Sequence, residues 1–151
     1  MNIRPYQNAD WPRLCAIHDL ARMDELREAG LQDAFIPLEI AAEKEGLFDY
    51  DILVAERNGT VLGFVAFSED ELAWLYVDPG SYRSGVGKLL TKATLLERPN
   101  GLSIEVLSGN EAALAFYKSV GFVESGITNG RMPGNEKFHV TVHCLTYARS
   151  T

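Results

Sequence analysis

The segment Tyr82-Arg83-Ser84-Gly85-Val86-Gly87-Lys88 places two glycines directly before an apolar-periodic run. Glycines there let the backbone approach a ligand closely. The N–H groups of the helix start, lacking intrahelical acceptors, then face that ligand, and the positive end of the helix dipole favours a phosphate or pyrophosphate. Arg83 and Lys88 add positive charge. Two nucleotide loops are excluded. A P-loop needs Ser or Thr after Gly-Lys, where this chain has Leu89, and a dinucleotide fingerprint needs a third glycine, where it has Leu90. A glycine-rich connector without a ligand remains the alternative for this segment alone.

Other reactive side chains point nowhere as strongly. Cys15 and Cys144 match no metal spacing and stand beside no recognisable His/Asp arrangement, so both read as small buried hydrophobes. His139 and His143 are four apart, hence on one face of a strand, but two histidines without a third ligand are not a metal site; no metal is expected. His18 reads as structural.

The elements that must position the glycine loop follow from spacing. Residues 2–6 form a short first strand. Asp10 stands where an N-cap belongs, with Pro12 in the first turn, and Leu14, Ile17, Leu20 and Ala21 give a helix over about 10–27. A second helix runs from Pro37 to Glu45, stopped by Gly46. Strands over Asp51–Arg57 and Thr60–Ser68 are joined by Asn58-Gly59, a type I′ hairpin signal, and Leu72–Val77 is a third member of the meander. A helix over Val86–Glu97, with Leu89, Leu90, Ala93 and Leu96 on one face, precedes a strand over Leu102–Leu107 and a helix over Glu111–Val120. Strands over Phe122–Ile127 and Phe138–Tyr147 flank a turn-rich loop, Asn129–Lys137. The consecutive hairpins argue against a doubly wound parallel sheet. The class is α/β of the mixed (α+β) kind.

The chain has 151 residues, 14 Lys+Arg against 21 Asp+Glu, a formal charge of −7 and 46% hydrophobic content. That suits one globular domain spanning 1–151, with no linker or repeat. No apolar run approaches a membrane span, and the first residues do not resemble a leader peptide, so no membrane association is expected. Two distant cysteines suggest a reducing, cytoplasmic setting. The acidic balance works against nucleic acid as a partner.

The stretch Leu75-Tyr76-Val77-Asp78-Pro79 followed by Tyr82-Arg83-Ser84-Gly85-Val86-Gly87 resembles the acetyl-CoA-binding motif of the GCN5-related N-acetyltransferases, Arg/Gln-x-x-Gly-x-Gly/Ala. It departs by placing Tyr82 where Arg or Gln stands. A second stretch, Asn110 to Phe122, is similar to the family's Asn-x-x-Ala-x-x-Phe-Tyr-x-x-x-Gly-Phe and matches every one of those positions. The resemblance implies a central mixed, mostly antiparallel sheet of about seven strands flanked by about four helices. It also implies direct transfer of an acetyl group from acetyl-CoA to an amine. Tyr76, Val77, Arg83, Ser84, Gly85, Val86, Gly87, Lys88, Asn110 and Tyr117 are then the expected cofactor contacts. Asn110 reads equally as a helix N-cap.

Within that reading Tyr117 is the expected general acid. Expelling coenzyme A as a bare thiolate is hard, and a tyrosine stays protonated at neutral pH and can donate. The attacking amine must lose a proton, for which Glu71 is the first candidate and Glu69 the next. A backbone N–H near Tyr76 or Val77 is expected to hold the oxyanion. The acceptor, a small-molecule or peptide amine, is expected near residues 31–48, Trp74 and the loop 129–137. The acidic stretch Glu39, Glu43, Glu45, Asp49 and Asp51 is either an attractor for that amine or a solvated face. A homodimer is also in keeping with the family. A non-catalytic acyl-CoA-binding or partner-binding module that keeps the fold is the alternative function, with Tyr82 its support. A tRNA-modifying toxin of the same fold would need a basic surface.

Overall fold

The computed structural model describes residues 1–148. Its elements are β1 (Asn2–Pro5), α1 (Trp11–Glu28), α2 (Leu38–Glu45), β2 (Asp51–Arg57), β3 (Thr60–Phe67), β4 (Leu72–Val77), α3 (Val86–Glu97), β5 (Leu102–Leu107), α4 (Glu111–Ser119), β6 (Val123–Met132) and β7 (Asn135–Tyr147). The strands form two antiparallel sheets, β1-β2-β3-β4 and β5-β7-β6, rather than one. A lone parallel bridge, Glu71 to Ser103, joins them at the start of β4. Beyond it β4 and β5 splay apart. That gap is the feature on which the site is built.

Local chemistry explains most boundaries. Asn58 (φ 52°) and Gly59 (φ 81°) both take the left-handed conformation that the β2–β3 turn requires. Asp10 stands at the N-cap of α1 yet makes no side-chain cap bond. Its buried carboxylate (7% exposed) instead accepts two bonds from Arg4, 2.8 and 2.9 Å, and one from the Gln7 N–H, 2.8 Å, tying β1 to α1. These bonds, Arg4's foremost, hold the Asp10 carboxyl below the usual carboxylate range. The group therefore stabilises the fold above its unfolded pKa, and that contribution is lost as pH falls through the lowered native value. Asp10→Asn is expected to cost about 1–3 kcal/mol in urea unfolding at neutral pH, with the difference from wild type shrinking in acid. Coincident unfolding curves at neutral pH would contradict this.

Three departures from the sequence expectation have physical causes. The apolar face of α3 is rotated: Leu96 is 84% exposed and Leu89 is exposed, while Thr91 and Thr94 are fully buried. Each threonine satisfies its hydroxyl on the carbonyl four residues back, Gly87 O at 2.8 Å and Leu90 O at 2.9 Å, so it enters the core as a branched hydrophobe. Leu20 of α1 likewise faces solvent, whereas Leu14, Ile17 and Ala21 are buried. Residues 129–137 are not a loop. They continue β6 and open β7, with Met132 paired to Asn135 around a Pro133-Gly134 turn. The long hairpin buries Met132 and Val140 against Leu26 of α1 and Ala34.

A larger core packs β2–β5 and β7 against α3 and α4, around Val65, Phe67, Leu90, Ile104, Leu114 and Leu145. A second core packs the opposite face against α1 and α2, around Leu14, Ile17, Leu38, Phe64 and Trp74. Among the described residues, no helix is long and apolar enough to cross a membrane.

Candidate active site

The gap between β4 and β5 opens into a cleft of about 730 Å³, walled by the α3 N-terminus, the end of β4, α4 and one side of α1. Gly85 caps α3 with φ 88°, a conformation a Cβ makes costly. It turns the chain so that Val86, Gly87 and Lys88 form the cleft wall with Arg83. A Cβ on Gly87 would stand 3.7 Å from Val77 and 3.6 Å from Phe116, two other wall residues. Glycine there keeps that space for a ligand against free helix N–H groups, which suits the pyrophosphate of a coenzyme A ester. Ser84 is not part of the wall; its hydroxyl donates to the Ser81 carbonyl. Tyr82 donates to Asp24 Oδ2 at 3.1 Å, so its hydroxyl ties the loop to α1.

The strand edge contributes backbone donors. The Asp78 N–H donates back to Leu62 O of β3 at 2.8 Å. Strand alternation then turns the N–H groups of Val77 and Leu75 the other way, toward the gap. Asn110 caps α4 by accepting from the Ala113 N–H at 3.2 Å, and it also lines the cleft.

Tyr117 lies on the cleft wall, its ring meeting the edges of Phe116 and Phe122 at centroid distances of 5.1 and 5.5 Å. Among the described residues its hydroxyl has no hydrogen-bond partner. Burial, and then the negative charge of Glu25, push its pKa well above that of an ordinary tyrosine. It therefore stays a donor at every physiological pH. Gly121 ends the same helix segment at φ 109°, and a Cβ there would strike the Tyr147 ring at 2.8 Å.

A second cavity of about 660 Å³ opens on the other side of the gap, beneath the β6–β7 hairpin. Arg22, Ala73, Tyr76, Glu105 and Leu107 line both spaces and form the waist between them. At this waist Tyr76 donates to Glu25 Oε1 at 3.1 Å, and Arg22 pairs with the same carboxylate. Burial first, and Glu25 second, raise the Tyr76 pKa far above the normal range. His18 packs edge-on to Tyr76 at 4.9 Å and is held neutral by burial.

The sequence candidates distribute unevenly over this geometry. Glu71 lines the second cavity and not the first, with its pKa raised by burial and then by Glu105. Glu69 is exposed beside Arg98, outside both spaces. Of the acidic stretch Glu39 to Asp51, Glu45 lines the second cavity and the other four line neither space; Trp74 and residues 130–134 join Glu45 there. His139 is exposed and His143 pairs with Glu124 on the β6–β7 face. Arg22, Glu25 and Glu105 were not foreseen. Arg22 and Glu25 are an i,i+3 pair that reads as an ordinary solvated couple, and nothing local marks a strand residue as bordering a splay.

Comparison with known proteins agrees with this architecture. The family described as Acetyltransferase (GNAT) domain matches residues 48–124. The chain is 30% identical over 125 residues to an uncharacterized N-acetyltransferase, YafP of Escherichia coli, covering 81% of each. It is 39% identical over 70 residues to the peptidyl-lysine N-acetyltransferase YiaC of Escherichia coli, where the match spans 46% of this chain and 47% of YiaC. A GCN5-related N-acetyltransferase structure from Rhodopseudomonas palustris superposes with a TM-score of 0.80 at 21% identity, covering 97% of this chain and 94% of the other. The chain belongs to the GCN5-related N-acetyltransferase (GNAT) family. The match to YiaC, like several other curated matches, spans about half of the relative's length.

Proposed function

We propose that the protein is an acetyl-CoA-dependent N-acetyltransferase that moves the acetyl group directly to a primary amine of a small molecule or peptide. The observation that carries this reading is the meeting, at one waist, of a cleft walled by the N-terminus of α3 and a cavity lined by carboxylates. When bound, acetyl-CoA supplies the activated acetyl group as a thioester. The N–H groups of Val86, Gly87 and Lys88, with the Arg83 side chain, hold its pyrophosphate, and the Asn110 amide and the free edge of β4 hold the amide-bearing arm. The structure supports leaving Ser84 out of these contacts.

The chain's own groups then handle the protons. Glu71, in the acceptor cavity with its carboxyl above the usual range, takes the proton from the entering ammonium. The nitrogen attacks the thioester carbonyl, and the Val77 N–H donates to the charge that builds on its oxygen. As the C–S bond breaks, the electron pair left on sulfur takes the Tyr117 proton, the nitrogen gives up its second proton to solvent as the amide forms, and exchange with solvent then reprotonates Tyr117 and deprotonates Glu71. The naming of YiaC as a peptidyl-lysine N-acetyltransferase makes lysine peptides natural candidates beside small amines. Two free cysteines accord with a reducing cytoplasm, where we place the protein.

The test is release of coenzyme A thiol on incubation with acetyl-CoA and a panel of amines and lysine peptides. Turnover is expected to fall as pH drops through a limb above the ordinary Glu value of about 4.3, because a raised carboxyl loses its charge early. Glu71→Gln should remove that limb and lower kcat/KM by about 100-fold. A folded protein that binds acetyl-CoA and releases none of its thiol to any amine would instead establish the acyl-CoA-binding module.

A further inference from the structure

Four carboxylates line the second cavity: Glu45, Glu71, Glu105 and Glu136. Among the described residues, none of them is ion-paired. Three cations, Arg22, Lys44 and Arg131, line the same cavity, each bonded to a group other than these four carboxylates. Lys44 Nζ donates to the Gly134 carbonyl at 3.3 Å and Arg131 to the Glu136 carbonyl at 3.1 Å, while Arg22 is taken by Glu25 and by Met132 Sδ at 3.1 Å.

The carboxylates form two like-charged pairs. Glu71, bridged to Ser103 at the start of β4, feels Glu105 two residues further along β5, and after burial this repulsion is what holds Glu71 above its ordinary range. Glu45, at the end of α2, sits under the hairpin turn, with its carboxylate 3.2 Å from where a Cβ on Gly134 would stand. Burial pushes Glu45 up to about 7; Arg22 of α1 pulls it down and Glu136 of β7 pushes it up. Tyr50 lines the same cavity, its own proton held by burial, then by Glu71, and also by Glu45. Tyr76 of β4 feels Glu45 as well. Two carboxylates held together in a partly desolvated space repel, and a cation between them relieves the strain. Tyr50 and Trp74 add aromatic faces suited to cations.

Resting on the acetyltransferase reading, we propose that the acceptor is dicationic: its reacting ammonium lies between Glu71 and Glu105 at the waist, and its second positive charge is read by Glu45. The substrate class is a diamine, or a lysine-like amine with a second cationic group within the span of the cavity. Glu45 is thus a specificity residue, and its effect belongs in KM rather than kcat.

The experiment is calorimetric titration of 1,5-diaminopentane and of pentylamine into the protein with coenzyme A present, which allows no turnover. At about pH 8 wild type should bind the diamine at least about 10-fold more tightly. Glu45→Gln should shrink that preference to about 2-fold or less, while Glu43→Gln, exposed on the same helix, keeps it. In wild type the preference should also fade as pH drops below about 7, where Glu45 loses its charge. That measurement does not depend on how the variant folds. Equal binding of both amines, binding of neither, or a preference that survives Glu45→Gln and acid pH would overturn the inference. If the preference stands but the protein never acetylates an amine, the catalytic reading fails and the charge reading survives. Acetylation of both amines with equal kcat/KM sinks only the charge reading.

Discussion

Tyr117→Phe is expected to lower kcat by about 100-fold or more while leaving acetyl-CoA affinity nearly unchanged. The ring is fixed by edge-on contacts with Phe116 and Phe122, which phenylalanine keeps. Among the described residues its hydroxyl bonds nothing in the protein, so removing it leaves no orphaned partner and no folding penalty. What is lost is a cleft hydroxyl held protonated and uncommitted, whereas the other two cleft tyrosines, Tyr76 and Tyr82, already donate to Glu25 and Asp24. Steady-state kinetics with calorimetry of acetyl-CoA on both proteins separates the steps. Equal kcat values would remove Tyr117 from the chemistry, and a parallel loss of affinity would make it a binding residue.

Gly85→Glu should act on the other side, weakening acetyl-CoA by about 100-fold or more and leaving no measurable turnover at ordinary concentrations. Two effects combine. A side chain at φ 88° is strained by about 1–2 kcal/mol, which a domain of ordinary stability survives, since nothing lies within 4 Å of the added Cβ. The larger effect is electrostatic: a carboxylate is set at the helix N-terminus to which we assign the pyrophosphate. Gly85→Ala separates the two, carrying the strain without the charge, and is expected to lose much less affinity. If Gly85→Glu is folded and binds as wild type does, the pyrophosphate is held elsewhere.

The parts of the molecule most legible in the sequence are those governed by local chemistry. Asn58-Gly59 dictates its turn through two left-handed residues, and the glycines before α3 and after α4 sit where φ is positive. Elements read from such punctuation fall within a residue or two of their expected ends. Threonine burial in α3 was hidden because its hydroxyls are satisfied within the helix, a fact that no polarity pattern records. The hairpin extension over residues 129–137 was hidden because β7 supplies the pairing that its glycine-rich composition would not suggest.

The same division runs through the site. Donor-side residues sit in contiguous stretches, residues 75–88 and 110–117, so their spacing carries the information. The second cavity is assembled from α1, α2, β4, β5 and the hairpin, elements far apart in the chain. Its Arg22, Glu45 and Glu105 come to line one space only through the packing of α1, α2 and β5. A single residue type at a single position cannot announce that.

Every step of the proposed transfer depends on acetyl-CoA binding in the first cleft. Calorimetric titration of the purified, folded protein with acetyl-CoA, with NAD and ATP as controls and Gly85→Glu as the site variant, is the measurement. Selective, saturable binding of acetyl-CoA that disappears in the variant is the predicted result. Absence of binding by the folded wild type, or equal affinity for ATP and NAD, would contradict it.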